Sequence, residues 1–253
     1  MNNRWCIVGS LRSGSTALQH KIFLKLPKPS VTLGEYTHFE VSIYQDSSGK
    51  FIKKEESFYN QDRIKFRKDM QELFETTDNS YVMKVFPQPW ILVDFDYVAF
   101  LKNLAANKFK FIHVHRDFFS RVISYAMAQT TGLWHRQYTK VGLQNLGKDI
   151  KLASISNKVV LDINVIENCI IDICKHDEAI NEIMTKVGEH VYNVNYLTMD
   201  DDCETAGIPI VDKSPHVKTY DTDYADIIEN YEEIKNLKDW QCFTLSVPRK
   251  KYE

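Results

Sequence analysis

Two short stretches of the chain carry residue types that bind phosphate groups, and the first is GSLRSGST at residues 9–16. Its small residues let a backbone wrap around an anion, and a helix that begins near Ser15 would add its positive end. Glycines at positions 9 and 14 give the G-x-x-x-x-G frame of a P-loop, but Ser15 stands where that loop carries lysine. Arg12 lies inside the loop, so the loop still has a cation, although at a different position from the P-loop lysine.

The second stretch is an apolar run at residues 109–115 that ends in Arg116, with Ser124 eight residues later. A guanidinium binds phosphate through two parallel hydrogen bonds, and a hydroxyl adds a further donor. The triplet His115-Arg116-Asp117 also matches a protein-kinase catalytic loop. That interpretation fails because Val122 stands where the kinase motif has asparagine, and no DFG triplet follows.

The elements that must position these residues alternate between strands and helices. Short apolar runs predict strands at residues 5–9, 31–33, 81–86, 109–115 and 191–194. Apolar residues at helical spacing predict helices at residues 15–26, 64–74, 97–104, 118–130 and 158–186. The polar residues 40–60 predict a surface excursion or lid.

Strands separated by helices of this length indicate parallel βαβ units. We therefore predict a single α/β domain over residues 1–253, built on a doubly wound parallel sheet of about five strands. Its first βα turn is P-loop-like, and its ligands are expected at the carboxyl ends of the strands.

Composition argues against several other classes of protein. The 253 residues are 43% hydrophobic and supply one large core, and 32 Lys and Arg against 34 Asp and Glu give a net charge of −2. This balance argues against a nucleic-acid or membrane partner. Five cysteines without a CxxC pair favour a reducing compartment over a disulfide framework or zinc site. With no signal-peptide-like or membrane-spanning run, we expect a cytoplasmic protein.

Taken together, the two stretches resemble the signature sites of sulfotransferases that depend on 3′-phosphoadenosine-5′-phosphosulfate (PAPS). In that family the first loop holds the 5′-phosphosulfate, and an Arg and a Ser of the second element hold the 3′-phosphate. The matching first-site residues here are Arg12, Ser13, Gly14, Ser15 and Thr16, and the second-site residues are Arg116 and Ser124. The segment GEY at residues 34–36 is similar to a Gly-Glu pair of the carbohydrate and tyrosylprotein branches, and AQTTGLWH at residues 128–135 is similar to a segment of bacterial carbohydrate sulfotransferases.

Three departures separate the chain from the aryl and steroid branch of that family. Arg12 stands where that branch has lysine, although the Golgi and bacterial branches use arginine there. Ala17 replaces the aromatic residue that packs on adenine, and Phe118 replaces a proline. The resemblance is therefore closest to the bacterial carbohydrate, Golgi-type and tyrosylprotein branches, and it does not identify the adenine contacts.

The resemblance implies that Glu35 is the catalytic base, with His38 and His20 as reserve candidates and a surface carboxylate as the alternative. Lys84 lies in the apolar run YVMKVF, where burying a lysine is costly without an anion partner. We predict that Lys84 points to the cofactor, as a matching lysine does in the tyrosylprotein branch; the alternative is a lysine that snorkels from an edge strand. Arg12 completes the predicted catalytic set.

Further residues are expected to bind the acceptor and the nucleotide around this catalytic set. Tyr36, His38, Trp134 and His135 are the expected acceptor-binding residues, although Trp134 also fits a core position. In the family a late basic loop closes over the nucleotide, which makes Lys213 and Lys218 candidates for that lid; a solvated loop is the alternative.

The implied enzyme is a PAPS-dependent sulfotransferase that acts on a carbohydrate or other small hydroxyl acceptor and needs no metal. A P-loop kinase or NTPase and a non-catalytic nucleotide-binding protein are the competing hypotheses.

Overall fold

The fold is described from a computed structural model of the chain. The structure describes residues 3–28, 30–35, 42–45, 51–54, 79–87, 95–131, 158–212 and 223–237.

Among the described residues, seven strands form one sheet. They are β1 (Arg4–Val8), β2 (Ser30–Glu35), β3 (Ser42–Gln45), β4 (Phe51–Lys54), β5 (Ser80–Val85), β6 (Lys110–His115) and β7 (Val191–Asn195). Their order in the sheet is β4-β3-β2-β5-β1-β6-β7. The five strands β2, β5, β1, β6 and β7 pair in parallel, which confirms the parallel part of the prediction, but the whole sheet is mixed and has seven strands rather than about five. Strands β3 and β4 continue the sheet beyond β2 as antiparallel strands.

The segment at residues 40–60 therefore differs from the predicted excursion or lid, because its described parts are the strands β3 and β4. Its overall polarity hid a hairpin pattern. The apolar residues Ile43, Tyr44, Phe51 and Ile52 flank residues 47–49, whose sequence SSG is typical of turns. Two such runs around a Gly-containing turn are typical of a β-hairpin.

Seven helices accompany the sheet in the described part of the chain. They are α1 (Ser15–Lys25), α2 (Tyr97–Ala106), α3 (Phe118–Thr131), α4 (Ile163–Val187), α5 (Met199–Thr205), α6 (Tyr224–Ile227) and α7 (Tyr231–Lys235). The first four confirm predicted helices, and the predicted helix at residues 64–74 lies outside the described residues. Helix α2 begins where the Asp96 side chain accepts a 2.8 Å hydrogen bond from the Ala99 N–H, a standard N-cap.

Helices cover both faces of the central strands. On one face, Cys6, Val8 and Met83 pack with α2 and the second half of α4. On the other face, Trp5 and Ile7 pack with α1 and α5. Burial on both faces explains why these strands are continuous apolar runs rather than alternating ones. The α/β architecture is thereby confirmed.

The chain divides into two compact units, one of Met1–Arg116 with Asp172–Val217 and one of Asp117–Ile171 with Lys218–Glu253. The first contains the whole sheet. In the second, the Val159 N–H donates to the Ile227 carbonyl at 2.8 Å, and the Phe119 and Tyr231 rings meet edge to face at 5.9 Å. The organisation as a single domain stays a prediction. None of the described helices is both long and apolar enough to cross a membrane.

The order of the strands creates a topological switch point beside β1. Helix α1, which follows β1, packs on the face that carries Trp5, whereas α2, which follows the neighbouring β5, packs on the opposite face. The connections that follow these two adjacent parallel strands therefore cross to opposite faces of the sheet. In open α/β sheets such a divergence creates the crevice in which ligands bind, outside the carboxyl ends of the strands.

Candidate functional site

The loop between β1 and α1 has a constrained backbone. The Gly9 N–H donates to the Val85 carbonyl at 3.0 Å, which fastens the start of the loop to the end of β5. The Ser13 N–H then donates to the Ser10 carbonyl at 3.3 Å, closing a tight turn. Gly14 follows with φ of 91°, a left-handed conformation that residues with a Cβ rarely adopt. The chain enters α1 directly from this glycine.

The loop presents hydrogen-bond donors in succession. Gly14 is the N-cap of α1 and makes no side-chain cap bond, and within the described residues the N–H groups of Gly14, Ser15 and Thr16 have no backbone acceptor. Ser13 is 1% exposed, and its buried Oγ has no hydrogen-bond partner in the described structure. Buried polar groups are nearly always paired, so an unpaired hydroxyl beside a helix N-terminus indicates a place for an anion.

Two arginines lie at the same edge of the sheet. Arg12 sits within the loop with φ of 57°, which is uncommon for a residue other than glycine. Arg116 follows β6, the strand that pairs with β1. Its Nη1 lies 3.4 Å from the Arg12 carbonyl oxygen, to which it donates a long hydrogen bond. The structure thus brings the two arginines predicted from separate motifs into direct contact.

Tyr196, which the sequence analysis did not identify, joins this group. Its backbone N–H donates to the His115 carbonyl at 2.7 Å, and the Arg116 guanidinium carbon lies 4.7 Å from its ring centroid. A Cβ built on Gly14 would lie 2.1 Å from Tyr196 Cδ2, so ring and loop approach as closely as a glycine permits. The available signal was its position, because Tyr196 lies two residues after the end of the predicted strand at residues 191–194.

Lys84 reaches the start of α1 from the neighbouring strand. It lies on β5 between β2 and β1, is 1% exposed, and its Nζ donates a 2.6 Å hydrogen bond to Thr16 Oγ1. The same Nζ lies 4.9 Å from the Phe86 ring centroid. The side chain therefore points into the protein rather than snorkelling from an edge strand. Thr16 holds the position at which a P-loop uses its hydroxyl to bind Mg²⁺.

Glu35 lies next to Lys84 in the backbone of the sheet. The two residues are register partners on β2 and β5, and the register shifts between Leu33 and Glu35 at an irregularity. The backbone of Glu35 is described, but its side chain lies outside the described residues. Its assignment as the base stays a prediction.

Ser124 lies on α3 in the second compact unit and is buried. The helix begins after Asp117, whose carboxylate accepts from the Ser120 N–H at 2.8 Å and whose carbonyl accepts from the Arg121 N–H at 3.2 Å. The predicted pairing of Ser124 with Arg116 around one phosphate stays a prediction. The remaining predicted site residues lie outside the described residues: Tyr36, His38, Trp134, His135, Lys213 and Lys218.

The buried thiols do not fit a nucleophilic role. Cys6 and Cys203 are free and buried, and burial raises the pKa of both, that of Cys203 to about 12. Both are therefore protonated at neutral pH, and the thiolate is the reactive form. Among the described residues, no group of three or more His, Cys, Asp or Glu side chains is arranged to hold a metal ion.

Comparison with known proteins gives no family for this chain. A search against protein-family models finds no match, and a search of curated proteins finds none either. The site is therefore interpreted from its own geometry and chemistry, together with the resemblance of two short motifs.

Proposed function

We propose that the chain is a PAPS-dependent sulfotransferase whose acceptor is a hydroxyl of a carbohydrate or other small molecule. The observation that carries the proposal is the Lys84 Nζ on the Thr16 hydroxyl, 2.6 Å away. In a P-loop kinase the hydroxyl at this position binds Mg²⁺, and a lysine stands one residue before it. Here Ser15 replaces that lysine, and a cation from β5 contacts the hydroxyl instead. The anion site then depends on protein cations and N–H groups, as the resemblance implies.

The loop has the features that a 5′-phosphosulfate requires, and we interpret it as a P-loop-like turn. The N–H groups of Gly14, Ser15 and Thr16 and the buried Ser13 hydroxyl would donate to its oxygens, because among the described residues these N–H groups have no backbone acceptor and the hydroxyl has no partner. Arg12 would neutralise the charge. A Cβ on Gly14 would fill space occupied by Tyr196, so glycine keeps the loop backbone in place.

The 3′-phosphate would be held by Arg116. Its guanidinium is anchored on the Tyr196 ring and on the Arg12 carbonyl, which leaves it at the edge of the sheet where β1 and β6 end. A planar guanidinium suits bidentate recognition of a phosphate.

Transfer would then need positioning, proton removal and charge stabilisation. When bound, PAPS supplies the sulfuryl group, and adenosine 3′,5′-bisphosphate leaves as the bond from sulfur to the acceptor oxygen forms. Lys84 acts on the donor side, where its positive charge stabilises the oxygen that becomes negative. Glu35 accepts the proton of the acceptor hydroxyl. Its backbone position beside Lys84 supports this division of roles.

A P-loop kinase or NTPase is the second candidate, and the G-x-x-x-x-G frame between a strand and a helix favours it. A non-catalytic nucleotide-binding protein is the third candidate.

Calorimetric titration with adenosine 3′,5′-bisphosphate and with ATP, each with and without Mg²⁺, distinguishes a sulfotransferase from a kinase or NTPase. Tight metal-free binding of the bisphosphate supports the sulfotransferase, whereas magnesium-dependent binding of ATP supports the kinase. Formation of the bisphosphate from PAPS with a panel of carbohydrate acceptors then distinguishes an enzyme from a binding protein.

A further inference from the structure

Tyr196 contacts both predicted phosphate-binding points. On one side its ring packs against the α-carbon of Gly14, where an added Cβ would come within 2.1 Å of Cδ2. On the other side the Arg116 guanidinium carbon lies 4.7 Å from the ring centroid. The first contact belongs to the loop expected to hold the 5′ group, and the second to the arginine expected to hold the 3′ group.

The ring is held in place by the backbone of the sheet. The Tyr196 N–H donates to the His115 carbonyl at 2.7 Å, one residue before Arg116. Strands β6 and β7 pair up to His115 and Asn195, so Tyr196 continues directly from this ladder. The aromatic side chain has a rigid ring and only two side-chain dihedral angles, and its backbone is fixed at the end of the parallel pair of β6 and β7.

Arg116 depends on such support because an arginine side chain has many rotamers. Its ordering would otherwise cost free energy each time a phosphate binds. The contact with the Tyr196 ring and the 3.4 Å hydrogen bond to the Arg12 carbonyl both restrict the guanidinium before any ligand arrives. Both contacts also tie its position to that of the loop.

We propose that Tyr196 is a positioning residue that sets the separation between the anion loop and Arg116, and thereby selects nucleotides that carry both a 5′ and a 3′ phosphate group. The inference rests on the proposed function, because it takes the loop and Arg116 as the two phosphate sites. Tyr196 acts through Arg116 and Gly14. The loop donors remain when the ring is removed, so a nucleotide with a 5′ phosphate alone should bind as before.

The experiment compares Tyr196→Leu and Tyr196→Phe with the wild-type protein by calorimetric titration with adenosine 3′,5′-bisphosphate and with AMP. The measured quantity is the ratio of the AMP Kd to the bisphosphate Kd. Tyr196→Leu should lower this ratio roughly 3- to 30-fold, which corresponds to loss of a cation–π contact. Tyr196→Phe keeps the ring and should retain the wild-type ratio. Tyr192→Leu is the matched control, because Tyr192 is an aromatic residue of β7, four residues before Tyr196, and it packs on Trp5, 5.8 Å away between ring centroids.

Each outcome bears on the inference. If Tyr196→Leu weakens both nucleotides equally, Tyr196 is only a packing residue and the inference is wrong, while the proposed function stands. If Tyr192→Leu lowers the ratio as much, the effect comes from general damage to β7 and the inference is again wrong. If the wild-type protein itself does not prefer the bisphosphate to AMP, the proposed function fails first, and the inference fails with it.

Discussion

At the scale of single residues, Gly14 is the position at which the loop between β1 and α1 is most restricted by its backbone and by a neighbouring side chain. Its φ of 91° is strained for any residue with a Cβ, and an added Cβ would also meet the Tyr196 ring. Neither restriction depends on the identity of the ligand. A substitution at this position therefore tests the geometry of the loop without removing any side chain that would bind the ligand.

We expect Gly14→Ala to lower both the free energy of unfolding and the affinity for AMP. Left-handed strain should cost on the order of 1–3 kcal/mol, and the ring of Tyr196 must also move. The matched control is Gly188→Ala, because Gly188 has φ of 72° and nothing within 4 Å of an added Cβ. That variant should lose stability in urea unfolding but keep its nucleotide affinity. An unchanged AMP affinity in Gly14→Ala would show that the loop is not the phosphate site.

The second prediction for single residues concerns Arg116. Arg116→Ala should weaken binding of adenosine 3′,5′-bisphosphate far more than binding of AMP, because a charge-assisted contact to the 3′ group is lost. The cost should be on the order of 2–5 kcal/mol if the contact is desolvated. Lys110→Ala is a suitable control, because Lys110 lies at the opposite end of β6 over the Trp5 ring. Equal weakening of both nucleotides by Arg116→Ala would show that Arg116 does not recognise the 3′ phosphate.

At the scale of elements, burial decides which parts of the fold were predictable. Strands β1, β5 and β6 are covered on both faces, so each is a short apolar run between turn residues. Helices α1 to α4 present an apolar stripe over two or more turns. The short helices α5 to α7 span seven residues or fewer, too few for a helical period to be evident.

The site was predictable where a motif is local and not where contacts are distant in sequence. The loop at residues 9–16 and Arg116 were identified from strand ends and residue types. Tyr196 was missed because its contacts are with Gly14 and Arg116, and pairing of β7 with β6 is what brings them together. The bond from Lys84 to Thr16 likewise depends on the order of the strands, which propensity and periodicity do not determine.

The adjacent strands β2 and β5 carry the predicted base and the predicted charge stabiliser. Glu35→Gln keeps the shape of the side chain but removes the proton acceptor, so transfer should fall roughly 10²–10⁴-fold. Lys84→Met removes the charge but keeps the buried stem, so kcat should fall roughly 10²–10³-fold, by analogy with loss of an oxyanion donor. Binding of adenosine 3′,5′-bisphosphate should change little in Glu35→Gln.

The two roles are separated by single-turnover sulfuryl transfer to acceptors of graded pKa. An acceptor that is already deprotonated at the assay pH should rescue Glu35→Gln but not Lys84→Met, because only the first variant lacks a proton acceptor. His38→Ala and His20→Ala are the comparison variants. If Glu35→Gln stays near wild type across the series while either histidine variant loses transfer, the base is a histidine and not Glu35.

At the scale of the whole molecule, the positive charge of the site contrasts with a net charge of −2. Arg12, Lys84 and Arg116 come from the β1–α1 loop, from β5 and from the end of β6, and the sheet brings all three to its carboxyl edge. Lysine and arginine close to a helix N-terminus concentrate a local field that the overall charge does not reveal.

This local field underlies the last prediction, which concerns metal ions. In kinases Mg²⁺ supplies the charge that stabilises phosphoryl groups, whereas here the Lys84 Nζ contacts the hydroxyl that would bind it. We therefore expect binding of adenosine 3′,5′-bisphosphate and sulfuryl transfer from PAPS to persist in excess EDTA and to gain nothing from added Mg²⁺. Parallel titrations with ATP serve as the control, since a kinase would bind ATP tightly only with the metal. A strict requirement for a divalent ion in transfer would assign the chain to the kinase class.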